Sequence, residues 1–551
     1  MVVANLRIAV EDPLVAARYG LEPDNVKSGD EPFFLDGPVA ARVAVVDRDA
    51  KTGQLANPVK WQQKKLTGSY STSPPADISS PEGIAVSVFG IVLETLQFAE
   101  QDDVLGHKVK WAFDSPQLLV VPRAGIWNNA YYDRLSQSLQ CFSFTGPDNV
   151  MVHTALSRDI VAHETGHAIL DGIVPALYDA LTPQTLGLHE AIGDFTAIIM
   201  ALRSRRIRDW LMKEHFENLT GSTPVSQLAN EFGQGLGLNR PLRDAYNSLT
   251  MKDVTNEPHD LCSVLTGALW SAMVQMHQNI LDETRKQSQR GEEGAVGIAL
   301  RKSAYRIGRI LFRALDFLVP AEATFADYCR AVLRSDEQAY PEDKTGYRDV
   351  LKKEFIKRGI VNDNRDLEAK PEQEWVSVDL DAIVESEWAA YAFVEQNREL
   401  LKVPQTVPFR LFPRQISTRE YFFSERPPEK HKETVLRVTW EMPEENVGIS
   451  GVPLIRAVFQ GTTAVFGDET DAQGRHRLLS CLTTNNAGEH AHARNETVRL
   501  MVERGQLELG RNRAAFSARP VVPRVFGRVT GDTLRLRGTA RLLHLTEVEH
   551  E

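Results

Sequence analysis

The spacing of apolar positions changes several times along this chain, and the changes divide it. Through residues 1–83, short β-branched runs such as ARVAVVD are broken by Pro, Gly and Asp, which predicts a strand-rich extension ending in the polar loop LTGSYSTSPPADISSPEG (66–83). A continuous apolar stretch over 84–99 predicts a buried helix, and KVKWAF, QLLVVP, NNAYYD and CFSF, between 108 and 144, predict strands. From about 155 the period becomes helical, with helices expected over 155–172, 187–204, 261–283, 295–318, 324–339 and 345–358. NDNRDLEAKPEQEW, after Val361, reads as a linker leading into a mixed segment. From 433 the alternation in TVLRVTW, AVFQGTT, TVRLMVE, RVTGDTLRLRG and ARLLHL predicts a β-rich, sandwich-like terminal domain. The fold class expected is α+β, divided into 1–83, 84–154, 155–361, 362–432 and 433–551.

One helical stretch carries chemistry. VAHETGHAIL, residues 161–170, contains H-E-x-x-H, and on a helix His163 and His167 project from one face toward a single point. That arrangement provides two protein ligands for a catalytic zinc, with Glu164 beside them to take a proton from water. A third ligand is expected from another helix, and GLHEAIGDFTAII supplies one: Glu190 would bind the metal, while Asp194, one turn on, would accept the second N–H of a ligating histidine. Taken alone, each motif has a plainer reading. H-E-x-x-H also fits a core helix with two hydrogen-bonded histidines, and E-x-x-x-D also fits an exposed acidic face.

Composition narrows the setting. The 551 residues are 42% hydrophobic and 25% charged, enough for a globular protein with a large core. A net charge of −11 argues against a nucleic-acid or anionic-membrane surface. Cys141, Cys262, Cys329 and Cys481 are far apart and form no CxxC pair, which fits a reducing compartment better than a disulfide framework. The first twenty residues lack a leader-like pattern, and no apolar run approaches the ~18 residues of a membrane span. A cytoplasmic location is therefore expected, with non-classical export left open.

Beyond these motifs the chain resembles the thermolysin-like zinc metallopeptidases of the gluzincin group, whose HExxH is followed by a helix bearing NExxSD. Here the pair reads HETGH and HEAIGD. WNNAYYD resembles the family's edge-strand motif NAFWDG, which implies substrate-binding roles for Asn129 and Ala130. HAILDGIVPALY is similar to HAVTDYTAGLIY and carries the carbonyl-polarising tyrosine onto Tyr178. PLRDAYN resembles ALRSMSDP, implying a substrate-pocket arginine at Arg243, and EPHDLCSVLTGALWSAM is similar to GVHxNSGIxNxAxYL, placing a transition-state histidine at His259. The resemblance covers about residues 84–361. It implies a two-lobed catalytic region, β-rich then α-helical, one catalytic zinc, and a peptide or protein substrate cut within the chain at a hydrophobic P1′ residue.

The sequence also departs from that pattern. The 22 residues between His167 and Glu190 exceed the family's 19, and His189 stands where the family has asparagine. Asp159 matches one family calcium ligand, but Ala201 replaces another and Arg203, Arg205 and Arg206 follow, so calcium is not expected. Two other readings compete. A zinc aminopeptidase would want a GxMEN-like motif, which is missing. A catalytically silent metallopeptidase-fold protein would bind a protein partner through its C-terminal domain. No G-x-S-x-G supports a serine hydrolase, and Cys262 reads as a core residue.

Overall fold

The first third of the chain is built around the helix Pro81–Ala99, started by the Ser80 side chain, which accepts from the Gly83 N–H. The helix is apolar on every face and so is buried nearly throughout. The computed structural model describes residues 2–29, 31–48, 52–74, 77–147, 149–180, 182–214, 219–287, 291–423, 425–484, 488–503, 507–510 and 525–537. They form a mixed α/β protein with a β-rich C-terminal region.

Two sheets surround that first helix. The four-stranded one runs Asp24–Ser28, Val3–Ile8, Thr67–Tyr70, Trp61–Lys64; the six-stranded one runs Phe34–Leu35, Val39–Ala40, Val43–Val45, Leu118–Val121, Ser138–Cys141, Ala130–Asp133. Val43–Val45 pairs with Leu118–Val121, so the division expected at 83 cuts through a sheet, and the N-terminal segment is an integral part of this layer. KVKWAF is not a strand. Val109 and Trp111 point into the core, but the Val109 N–H donates to the Glu100 carboxylate at 2.9 Å and the indole N–H of Trp111 to the Arg42 carbonyl. Alternation produced by burial alone is thus mistaken for pairing.

The helical region follows the predicted elements closely: Arg158–Ile173, Pro183–Arg203, Pro258–Gln287, Gly291–Arg313, Phe325–Ala339 and Tyr347–Lys357. By length and composition, Pro81–Ala99 and Pro183–Arg203 are apolar enough to cross a membrane, contrary to the reading of the sequence. Both are core helices here, with 83% and 94% of their most apolar windows buried within the protein.

The C-terminal region is one nine-stranded sheet among the described residues, in place of the expected sandwich. Its long strand Glu429–Glu445 pairs with Gln415–Tyr421 and Phe409–Leu411 on one side and with Ile455–Thr470 on the other. The sheet therefore begins well before 433, within the segment read as linker and mixed. Successive residues serve opposite faces. Leu436, Val438 and Phe466 pack with Phe393 and Val394 of the helix Glu387–Gln396, whereas Val435, Val465 and Leu479 join the core of the helical region. TVRLMVE lies in the helix Gly488–Glu503, not in a strand: Val498 and Met501, three apart, are its buried pair. ARLLHL lies outside the described residues.

A cluster of buried charges joins the two regions. Glu433 accepts from Arg313 at 2.5 Å, from Arg419 at 2.6 Å and from the Tyr421 hydroxyl at 2.8 Å. Asp316 accepts from Arg419, and lies 2.9 Å from His107 Nε2 and 3.2 Å from Arg437. Burial works against the charge on Asp316, yet His107 and Arg419 hold its carboxyl far below the usual carboxylate range. Removing one member leaves its partners buried without a counter-charge. Asp316→Asn is thus expected to cost ~3–5 kcal/mol of stability in urea unfolding; a loss below ~1 kcal/mol would show that the cluster relaxes or hydrates.

A second, acidic cluster ties the N-terminal segment to the helix that carries H-E-x-x-H. Asp12 caps the helix Pro13–Tyr19 and also accepts from Ser157 Oγ and the Glu231 N–H, beside Asp159, Glu11 and Arg158. Burial, then the neighbouring Asp159, pushes the Asp12 carboxyl from its ordinary 3.8 up to about 7, and the same causes push Glu231 to about 7. The folded state holds these protons more tightly than the unfolded chain. Their contribution to stability is therefore full below about pH 4, falls as pH rises toward about 7, and is flat above. Asp12→Asn, which keeps a capping oxygen, is expected to flatten that decline in urea midpoints measured from pH 4.5 to 7.5; an unchanged slope would refute it.

Candidate metal centre

Two helices meet where the motif residues lie, and their approach is set by glycine. A Cβ on Gly166 would stand 2.6 Å from Thr196 Oγ1, and one on Gly193 would stand 2.6 Å from His163 Cε1. With neither present, Arg158–Ile173 and Pro183–Arg203 come close enough for Glu190 to reach both histidines. His163 Nε2 is 3.4 Å from one Glu190 oxygen and His167 Nε2 is 3.4 Å from the other. That is long for a hydrogen bond. It equals the spacing expected of ligand atoms around one ion, since atoms about 2.0–2.1 Å from a tetrahedral zinc stand about 3.3–3.4 Å apart. His163, Glu164 and His167 are themselves buried and offer ligand atoms within 4.8 Å of one another, a group that could hold a metal ion.

The charges around this point favour a cation. Burial opposes ionisation of Glu190, but His259, His163 and His167 keep its carboxyl well below the ordinary value. Burial likewise opposes a charge on His163, yet Asp194 and Glu190 hold its imidazole up to about 10. Asp194 lies 3.2 Å from His163 Nδ1, in the orienting position expected of it. Arg243 contacts Asp194 through Nε at 3.0 Å and Nη2 at 2.9 Å and lies 3.6 Å from Glu190, so the arginine read as a substrate-pocket residue braces the carboxylates.

Glu164 is held from the opposite side. Its Oε2 accepts from the Tyr132 N–H at 2.8 Å, and burial pushes its carboxyl up to about 8. Tyr132 belongs to Ala130–Asp133, the edge strand of the six-stranded sheet, which pairs on its other side with Ser138–Cys141. Asn129 and Ala130 line a cleft of about 50 Å³ together with His163, Glu164 and Arg243, and Ile160, Leu228 and Phe232 form its apolar wall.

His259 is the second residue of the helix Pro258–Gln287. Its Nδ1 lies 2.9 Å from Glu257 and its Nε2 lies 3.5 Å from Glu190, so Glu257 orients the ring; only the position of Glu257 two residues before the motif histidine hinted at this. Cys262 is buried and its thiol is raised by burial, as a core residue's would be. Tyr178 departs from expectation. Residues Pro175–Asp179 wind into a 3₁₀ turn, and the Tyr178 hydroxyl lies 3.5 Å from the His167 carbonyl. Its ring stands edge-on to His189 at 4.4 Å, with the Arg134 guanidinium 5.0 Å from its centroid. Tyr178 is not among the residues that line the cleft. His189, whose imidazole is driven down to about 3 by burial, is a neutral packing partner in this wall.

Asp159 is engaged by the N–H groups of Ile160 and Ala229 and by Ser157. Compared with protein-family profiles and with curated proteins, the chain matches none.

Gly193→Ala would place a methyl 2.6–2.8 Å from three atoms of the His163 ring. It is expected to weaken Zn²⁺ binding ~10–100-fold by calorimetry, the range seen when groups supporting a ligand are disturbed. Unchanged affinity would mean the helices separate without moving the ligands.

Proposed function

We propose that the protein is a zinc-dependent endopeptidase of the thermolysin-like type, with His163, His167 and Glu190 as metal ligands. The observation that carries this reading is the equal 3.4 Å spacing of both imidazoles from Glu190, with Glu164 alongside and a sheet edge next to it. In this reading the sheets and the helix Pro81–Ala99 form the β-rich lobe, and residues 155–361 form the helical lobe. Zinc, when bound, supplies Lewis acidity to the scissile carbonyl and to a water.

The residues divide the remaining work. An extended peptide adds to the edge strand at Asn129 and Ala130, with a side chain directed toward Ile160, Leu228 and Phe232. Glu164 takes a proton from the attacking water and passes it to the leaving amine; the Tyr132 N–H fixes the carboxylate for both transfers. His259, its Nδ1 turned to Glu257, donates from Nε2 to the developing oxyanion, a contribution of ~3 kcal/mol for a single well-placed donor. Tyr178 would add a second donor only after its hydroxyl leaves the His167 carbonyl. Arg243 and Asp194 act as positioning residues.

A second reading, a silent metallopeptidase-fold binding protein, is favoured by one feature, the small volume of the cleft, about 50 Å³. One assay separates the two. Zinc-loaded protein incubated with a peptide mixture and read by mass spectrometry is expected to yield internal cuts, and Glu164→Gln should lower the rate ~10²–10⁴-fold while retaining zinc. Zinc binding without cleavage by the unmodified protein would overturn the peptidase reading.

A further inference from the structure

Away from the metal centre, a larger cleft of about 830 Å³ opens between the helical region and the C-terminal sheet, a size that suits a small-molecule site. Its wall is unusually basic for a chain of net charge −11. Arg203 comes from the end of the helix bearing Glu190, Arg208 from the helix Arg205–Lys213, and Arg301, Lys302, Arg306 and Arg309 from Gly291–Arg313. With Lys344, seven cations line the cleft against two carboxylates, Glu342 and Asp343. Both acids are engaged already: Glu342 lies 3.5 Å from Lys344, and Asp343 accepts the N–H groups of Tyr347 and Arg348 at 3.0 Å.

Two of the arginines are fixed in advance. The Arg306 guanidinium lies 3.3 Å from the Tyr340 ring centroid and that of Arg309 lies 4.5 Å from the Phe422 centroid, while Tyr340 and Phe422 stack on each other at 4.8 Å. Each also holds a carboxylate, Arg306 that of Asp336 at 2.9 Å and Arg309 that of Asp103 at 3.1 Å, which fixes both guanidiniums further. Arg306 is only 6% exposed and uses Nη2 on Asp336, whereas its Nη1 has no hydrogen-bond partner among the described residues, and neither has Arg309 Nε. Burial, followed by the facing charge of Arg301, pulls Arg208 below the ordinary arginine value, so these cations repel each other. A cleft wall in which cations outnumber carboxylates presents a field that attracts an anion.

We propose that this cleft binds a small polyphosphorylated anion. With Asp336 and Asp103 counted beside Arg306 and Arg309, the wall keeps an excess of three positive charges, which suits a ligand with several negative charges clustered on phosphates, and arginine forks fit phosphate oxygens in pairs. A free polyphosphate, a nucleoside triphosphate and an inositol polyphosphate share that chemistry. The site does not depend on the peptidase reading.

The test titrates sodium tripolyphosphate, ATP and inositol hexakisphosphate separately into the full chain by calorimetry, with sodium sulfate as control. At least one of the three is expected to bind at one site per chain and to raise the melting temperature. Equal binding of all three would show that charge alone selects, and a marked preference for ATP or the inositol phosphate would identify the source; either supports the site. Arg301→Glu and Lys302→Glu change exposed residues and leave the core untouched. Each is expected to weaken binding about tenfold or more, the loss of one charge-assisted contact. No binding at millimolar concentration, sulfate binding as tight as the polyphosphates, or full affinity in both variants would overturn the proposal.

Discussion

The closeness of two helices, allowed by Gly166 and Gly193, is the constraint on which the candidate metal centre depends. A side chain at either position would collide with Thr196 or with the His163 ring itself. The absence of those two methyl groups brings Glu190 within 3.4 Å of histidines that precede it by more than 20 residues. Interiors packed at crystalline density do not yield freely to an added carbon, so the glycines set ligand geometry as firmly as the ligands do. The rest of the centre follows from that contact: Asp194, a turn beyond Glu190, falls beside His163, and Arg243 closes over both carboxylates.

Much of this was legible in the sequence. H-E-x-x-H and the E-x-x-x-D turn state their geometry through helical spacing, so the positions of His163, His167, Glu190 and Asp194 could be read before any fold was known, and so could the main helices. What escaped had no local signature. KVKWAF alternates like a strand because Val109 and Trp111 seek the core, while its backbone donor is taken by a glutamate nine residues earlier. TVRLMVE alternates apolar and polar residues but also places Val498 and Met501 on one helical face, and its upstream neighbours decide for the helix. Tyr178 sits in a 3₁₀ turn with its hydroxyl 3.5 Å from the His167 carbonyl, a placement that no motif spacing conveys. The role of Glu257, and the start of the C-terminal sheet at Trp375–Val376, depend on contacts between distant segments.

Charge is buried here in two contrasting ways. At the junction of the helical region and the sheet, Asp316 and Glu433 are matched by arginines and a histidine with almost no exposure, a closed set in which every member is needed. One turn before Arg313 on the same helix, Arg309 and then Arg306 enter the basic cleft, where cations outnumber acids. One basic stripe on a single helix thus serves as structural mortar at one end and as an open receptor wall at the other. Carboxylates hold the arginines at both ends, Glu433 at one and Asp336 and Asp103 at the other, but only the cleft keeps a surplus of cations.

The sheet that begins near residue 375 shares its inner face with the core of the helices that carry His163 and Glu190, through Val435, Val465 and Leu479. Its other face is covered by the helix Glu387–Gln396. Any replacement for this region would have to reproduce both a hydrophobic face and the salt-bridged seam at Asp316. The two halves of the chain therefore share one core, and a change on either side of the seam is felt by the other.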